Sequence, residues 1–226
     1  MNLVIFGPPG AGKGTQAKRI ADKYNYKQVS TGDLLRNEIE SNSIIGLKIS
    51  EIINKGNFVT DDLVNSLIEK FVSNTEYKNR IIFDGYPRNV NQAQNLENLL
   101  KKNNQKLSVV LYLNVSRDTI EKRIKGRVTC EKCNVTLNEF FNEREILDHK
   151  CGKSHFKKRT DDNLDTIIKR YEIYMKSTKP VIDYYLKNNV LKEIDGSLKI
   201  DEIASKIEQI LHVYQVDFKQ SSYIKG

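Results

Sequence analysis

The chain has 226 residues, 38% hydrophobic and 29% charged, a balance that excludes a disordered segment and suits one compact domain with an insertion, or two small domains. By size scaling such a chain buries on the order of 70% of the surface its unfolded form exposes, so no disulfide staple is needed, and its three cysteines cannot all pair. Lysine and arginine together number 37 against 29 acidic residues, a net charge of +8 that favours anionic partners: nucleotides, nucleic acid or a phospholipid surface.

The longest apolar runs, 3–6 and 109–113, fall far short of the roughly 20 residues a membrane span requires. No basic segment precedes a long apolar stretch at the start, so a cleaved signal peptide is not expected and a cytoplasmic location is. The 27 lysines lie scattered among many asparagines as on a solvated surface, whereas the 10 arginines are the better candidates for bidentate phosphate contacts.

Short apolar runs alternate with longer amphipathic stretches, which predicts an α/β fold: a parallel sheet with helices on both faces. In chain order the candidate strands are 3–6, 28–30, 81–84, 108–113 and 190–194. Helix starts carry cap residues: Ser30 or Thr31 before Asp33, Thr60 before Asp61 and Asp62, Asn89, Ser116 before Asp118, and Thr160 before Asp161 and Asp162. The last of these opens a long helix with Leu164, Ile167, Ile168, Tyr171, Tyr174 and Met175 on one face, which Pro180 should kink or end. Residues 32–58 are helical without a strand of their own, and 128–158 lack apolar periodicity yet hold all three Cys and two of the three His. Both are read as insertions on the sheet core. No internal repeat and no Pro-, Gly- or Ser-rich linker is found, and the tail 212–226 is expected to be partly disordered.

The first strand runs into Gly7-Pro8-Pro9-Gly10-Ala11-Gly12-Lys13-Gly14-Thr15, followed by an amphipathic helix. In this strand-loop-helix setting glycines let successive backbone N–H groups converge on one spot, and the helix N-terminus adds its positive end, so a phosphate is expected there. Lys13 would span the β- and γ-phosphates. Gly14 stands where a hydroxyl normally binds magnesium, so Thr15 or bridging water must serve instead.

This loop resembles that of the nucleoside monophosphate kinases, the adenylate kinase family above all. Three further segments match in the family's order: Ser30-Thr31-Gly32-Asp33-Leu34-Leu35-Arg36 its monophosphate-site segment, Asp84-Gly85-Tyr86-Pro87-Arg88 its D-G-F-P-R with Gln92 four residues on, and Arg159-Thr160-Asp161-Asp162-Asn163 with Arg170 the close of its lid. The likeness covers about residues 1–211. It implies a phosphate-loop nucleoside triphosphate hydrolase-like core with a five-stranded parallel sheet (1–29, 60–126 and 160–226), a helical monophosphate-binding insertion (30–59) and a small lid (127–159).

The implied reaction is magnesium-dependent transfer from ATP to AMP giving two ADP, a step in purine nucleotide homeostasis. Two strongly anionic groups must be brought into contact, so positioning and charge neutralisation dominate and arginines are required at the junction. On the resemblance Arg36 and Arg88 grip the phosphate of AMP, Arg127 helps hold ATP, and Arg123, Arg159 and Arg170 clamp the transferring group. Gly10, Ala11, Gly12, Lys13, Gly14 and Thr15 line the ATP site, and Thr31, Asn57, Phe58, Val59, Gly85, Tyr86, Pro87 and Gln92 the AMP site, which Arg159 and Arg170 also reach. Asp84, ending a buried strand, needs a partner such as hydrated magnesium. Gln92 can pair with N1 and the exocyclic amine of adenine. Tyr86 replaces the family's usual Phe, and its hydroxyl is expected to reach solvent.

Long-lid members carry a zinc-bound lid with two Cys pairs. Here Cys130 and Cys133 form the first, a spacing that lets two thiolates reach one tetrahedral ion. The second is incomplete: Cys151 is present, and the position of its mate falls on Asp148 with His149 beside it. His149 is the preferred fourth ligand, then Asp148, then His155. A monomer is expected from the resemblance, with no nucleic acid or membrane partner. The rivals are a related kinase using UMP or CMP, or GTP as donor, and a zinc-knuckle nucleic-acid-binding protein that uses ATP as a switch; Phe140 and Phe141 could be core or stacking platforms.

Overall fold

The computed structural model describes residues 1–41, 43–54, 57, 59–158 and 164–223. In chain order the elements are β1 (Asn2–Phe6), α1 (Lys13–Tyr24), β2 (Lys27–Ser30), α2 (Thr31–Glu40), α3 (Ile44–Asn54), α4 (Asp61–Val72), β3 (Ile81–Asp84), α5 (Val90–Lys102), β4 (Leu107–Asn114) and α6 (Arg117–Lys125). They continue with β5 (Arg127–Cys130), β6 (Thr136–Asn138), α7 (Glu143–Leu147), β7 (Phe156–Lys157), α8 (Leu164–Ile173), α9 (Lys179–Lys187), β8 (Leu191–Asp195) and α10 (Ile200–Tyr223).

β1 and β3 are buried along their whole length, the pattern of parallel strands covered on both faces. Five strands in the order β2-β3-β1-β4-β8 form one parallel sheet, as the α/β expectation required. Successive side chains of β1 face opposite ways. Val4 and Phe6 join a core with Val64 and Ile68 of α4, Leu96 and Leu100 of α5, and Val181 and Tyr185 of α9. Leu3 and Ile5 join the other, with Ala17 and Ile20 of α1, Ile120 and Ile124 of α6, and Ile203 and Ile207 of α10. At the amino ends of the strands a buried polar seam is satisfied internally: Asn2 Nδ2 donates to Gln105 Oε1 at 3.1 Å, Asn2 Oδ1 accepts from the Ile81 N–H, and Gln105 Nε2 donates to the Val72 carbonyl.

This arrangement places the site. α1, which follows β1, packs on one face, whereas α5, which follows the neighbouring β3, packs on the other. The chain therefore leaves adjacent strands in opposite directions, and the crevice this opens lies beyond their carboxyl ends, between the loop after Phe6 and the loop after Asp84.

The segment after Arg127 forms its own three-stranded antiparallel sheet, β6-β5-β7, and the stretch between β2 and α4 is helical. Pro180 disturbs the helix as expected: between α8 and α9 the chain widens into a π-turn over Tyr174–Thr178, and Pro180 is the second residue of α9. A proline lacks the N–H and crowds the carbonyl one turn back, and a widened turn relieves both. Met175 is not on the buried face but 38% exposed, while Ile167 and Tyr174 are buried; the Leu164 side chain and residues 159–163 lie outside the described residues. Helix α10 carries the tail on to Tyr223, and residues 224–226 lie outside the described residues. Among the described residues no helix is long and apolar enough to cross a membrane.

Candidate active site

Gly10 and Gly12 take φ of +80° and +93°, and the loop curls so that Lys13, the first residue of α1, folds back over it. Lys13 Nζ donates to the carbonyls of Gly7 and Pro8, both at 2.9 Å. Burial brings its ammonium down to about 8, with Asp84 opposing and Arg88, Arg170 and Arg127 adding to the depression. Asp84, Arg88, Arg127 and Arg170, drawn from three further segments, thus all act on Lys13 at the mouth of the crevice.

Asp84 closes β3 with only 8% of its surface exposed. Burial raises its pKa, Lys13 lowers it and Asp33 raises it again, while Gln28 Nε2 donates to Oδ2 at 3.1 Å. Gly14 has a steric reason: a Cβ there would stand 3.3 Å from Asp84 Oδ2, tighter than ordinary contact. Thr15 lies half-buried beside it.

Gly85, at φ +76°, brings the next loop against α2; an added Cβ would sit 3.0 Å from Thr31 Oγ1 and 3.3 Å from Arg88 Nη2. Thr31 Oγ1 donates to the Gly85 carbonyl at 2.8 Å, Arg88 Nε donates to the same oxygen at 2.7 Å, and Arg88 Nη2 reaches Thr31 Oγ1 at 3.3 Å. Burial lowers the Arg88 guanidinium to about 10; nearby Arg170 and Arg36 lower it too and Asp84 opposes them. Arg36 pairs with Asp33 and folds over Gly32. Pro87 is buried.

Gln92 is engaged at both ends: its Oε1 accepts from the Arg88 N–H at 2.7 Å and its Nε2 donates to Asp61 Oδ1 at 2.6 Å, while Asn89 Nδ2 also donates to Asp61. Adenine recognition by this amide requires it to leave Asp61, a residue whose only sequence signal was helix capping. Tyr86 corrects an expectation. It is fully buried, and its hydroxyl, far from reaching solvent, donates to Asn65 Oδ1 at 2.7 Å and accepts from Asn95 Nδ2 at 3.3 Å.

Arg123 lies against the phosphate loop. Its Nη1 donates to the Ala11 carbonyl at 3.3 Å and its Nη2 to that of Leu198 at 3.4 Å, because α6 packs behind the phosphate loop. Val59 is buried, and Asn57 is exposed with its N–H on the Ile52 carbonyl. Phe58 and Arg159, together with Thr160, Asp161, Asp162 and Asn163, lie outside the described residues.

The second small sheet gathers the cysteines. One ligand atom from each of Cys130, Cys133, His149 and Cys151 lies within 4.8 Å of the others, with Cys133 Sγ and His149 Nε2 3.2 Å apart. The His149 ring stacks edge-on against Phe156 at 4.9 Å. Burial pushes the Cys130 thiol up, but backbone N–H groups of Cys133 and Lys132, and the Cys133 and His149 side chains, outweigh it and bring it to about 6. Cys151 is held high by burial and the two neighbouring sulfurs. Asp148 is turned to Arg144, 3.7 Å away on α7, and neither it nor His155 joins the group. Phe140 and Phe141 are 65% and 64% exposed, so neither is core.

A parallel α/β sheet whose first loop wraps a half-buried lysine, facing a buried carboxylate and a set of arginines across the crevice, defines a phosphate-loop nucleotide kinase. Comparison with known proteins narrows the class. Residues 5–190 match the family model described as adenylate kinase. The chain is 57% identical over 213 residues to an adenylate kinase of Pelagibacter ubique, covering 94% of this chain and 100% of that one. It is 41% identical to one from Thermodesulfovibrio yellowstonii and 38% to one from Rhizobium etli, each covering 93% of this chain and 99% of the relative. The chain belongs to the adenylate kinase family.

Proposed function

We propose a division of labour among these residues for the family's reaction, ATP + AMP ⇌ 2 ADP. The loop 7–15 cradles the ATP phosphates on its backbone N–H groups, and Lys13 exchanges the Gly7 and Pro8 carbonyls for the β- and γ-phosphates. Arg127 shares the charge of ATP, while Arg88 and Arg36 grip the phosphate of AMP. Arg170, with Arg159, clamps the transferring group between them. Arg123 joins them from α6, a reading supported by its place against the phosphate loop, where its Nη1 donates to the Ala11 carbonyl. Thr31, Asn57, Phe58, Val59, Gly85, Tyr86, Pro87 and Gln92 shape the AMP site.

The observation that carries this account is the gathering of Asp84, Arg88, Arg127 and Arg170 about Lys13 at the crevice, where Lys13 Nζ lies on the phosphate-loop carbonyls and Arg88 on the Gly85 carbonyl and Thr31. Four cations gathered with one carboxylate repel one another in the free protein, and a pair of phosphorylated nucleotides relieves that repulsion. Adenylate kinases use magnesium with ATP; Asp84 and Thr15 are the residues that would hold the hydrated ion, which neutralises phosphate charge. The buried Asp84 carboxylate and the space left by Gly14 fit it. Closure of the insertions 30–59 and 127–159 over the nucleotides keeps water from the activated phosphoryl group.

Zinc is the ion the thiolate-imidazole set suits, in a structural role: four ligands leave no open position for substrate. The donor atoms need only small adjustment to the roughly 3.8 Å separations that a tetrahedral ion with bonds of about 2.3 Å sets. The enzyme works as a cytoplasmic monomer in this account, on the strength of the family resemblance. A nucleotide panel tests the assignment: purified protein with ATP and each of AMP, UMP, CMP and GMP, following diphosphate formation. AMP should be the fastest acceptor by orders of magnitude; a faster UMP or CMP overturns it.

A further inference from the structure

Arg88 is held by more than its own loop. Its N–H donates to Gln92 Oε1 on α5, and its carbonyl accepts from Thr178 Oγ1 at 2.9 Å, a residue 90 positions later in the chain. Thr178 is 5% exposed and is the last residue of the π-turn between α8 and α9. A helical threonine ordinarily returns its hydroxyl to a carbonyl of its own helix one turn back. Thr178 instead directs it out to the loop after β3. α8, which leads into that turn, carries Arg170, whose charge acts on both Arg88 and Lys13.

We propose that Thr178 is a positioning residue for Arg88: delivered by the π-turn, its hydroxyl pins the Arg88 main chain and ties the arginine facing the monophosphate to the helix that bears Arg170. The inference rests on the reading of Arg88 as the phosphate grip of the acceptor site. The Arg88 guanidinium projects from a loop and belongs to neither a strand nor a helix, so its aim depends on where its peptide groups are fixed. Gln92 fixes one side and Thr178 the other. The widened turn sits where Pro180 disrupts the regular ladder, and the Thr178 side chain comes out facing Arg88.

The test compares Thr178→Val, which keeps the shape and removes the donor, with Thr178→Ser, which keeps the donor. In steady-state assays with ATP and AMP, Thr178→Val should lower kcat/KM for AMP about 3- to 10-fold, the factor that one net hydrogen bond represents, and leave KM for ATP within about twofold. Thr178→Ser should restore most of it. In an Arg88→Lys background the loss from Thr178→Val should vanish, since the residue acts through Arg88. Equal losses on both substrates, a lowered melting temperature with unchanged kcat/KM for AMP, or full additivity with Arg88→Lys would each overturn the proposal. Should the valine variant fold poorly, Thr178→Ala supplies the same comparison without a branched side chain. Failure of the underlying reading shows separately in the unaltered enzyme, as preference for another monophosphate, and the Thr178 variants are then scored on that acceptor.

Discussion

Replacing Tyr86 by the phenylalanine usual in the family should weaken this protein, because the hydroxyl is buried and not, as the sequence suggested, in solvent. The ring is fully buried between strand β3 and helices α4 and α5, so its packing survives the change and only the hydroxyl is lost. That oxygen accepts from Asn95 and donates to Asn65, and it stands 3.3 Å from the Gln92 carbonyl. A buried group stripped of its partner costs about 1–3 kcal/mol; both asparagines are half-buried and water can partly replace the hydroxyl, which places the cost near the low end, about 1–1.5 kcal/mol. For a chain of this length each kcal/mol moves the midpoint by about 2–4 °C, so Tyr86→Phe should melt about 2–6 °C lower. Burial holds the phenol at about 12, so the hydroxyl keeps its proton and the same drop should appear at pH 7 and pH 9. Thermal unfolding followed by calorimetry supplies the number, repeated in an Asn65→Ala background where the drop should shrink by half or more. A midpoint unchanged to within about 1 °C, or a drop undiminished without Asn65, would refute the reasoning.

Lys13→Met should cut turnover by orders of magnitude while leaving the chain folded, because the charge acts on the transition state and not on packing. The folded protein holds the Lys13 ammonium at about 8 against a reference of 10.5, so between those values the unfolded chain binds more protons and stability rises with pH; in urea titrations at pH 7 and pH 10 the variant should be more stable than its parent at pH 7 and lack that rise. Gly85→Ala forces a left-handed residue and a contact at 3.0 Å on Thr31, and should lower kcat/KM for AMP at least tenfold in the same steady-state assay. Metal analysis of protein purified under reducing conditions without chelators should find about one zinc per chain; His149→Ala should lose it readily, Asp148→Ala and His155→Ala should not, and its removal by chelator should lower the melting temperature without abolishing transfer at low temperature.

Features written in contiguous residues were legible in the sequence. Of the five strands of the parallel sheet, β3 was placed to the residue and the other four to within one residue at either end, β1, β3 and β4 as short apolar runs, whereas the three short strands of the second sheet, without such runs, were not placed. The phosphate loop lies in nine consecutive positions, 7–15, with its strand before and helix after. Cap chemistry behaved likewise: Ser30 Oγ accepts from the Asp33 N–H and Asn89 Oδ1 from the Gln92 N–H. What escaped is pairing across the fold. Asp61 looked like a first-turn acid and proves to hold Gln92, 31 positions away. Tyr86, Asn65 and Asn95 carry no joint signal until α4 and α5 pack side by side. Arg123 was placed with the other arginines through the family resemblance, while its contact with the Ala11 carbonyl follows from the face on which α6 packs. Pro180 announced a disturbance in the helix, but that the disturbance is a π-turn presenting Thr178 to Arg88 depends on what α8 and α9 lie against.

The measurement that bears most directly on the central claim is product stoichiometry. Wild-type protein with magnesium, ATP and AMP, quenched over one turnover and onward, should yield two ADP for each ATP consumed, with inorganic phosphate a trace and no ADP formed when AMP is withheld. Phosphate released in step with ATP consumption, whether or not AMP is present, would contradict the account: the loop and its arginines would then be serving transfer to water.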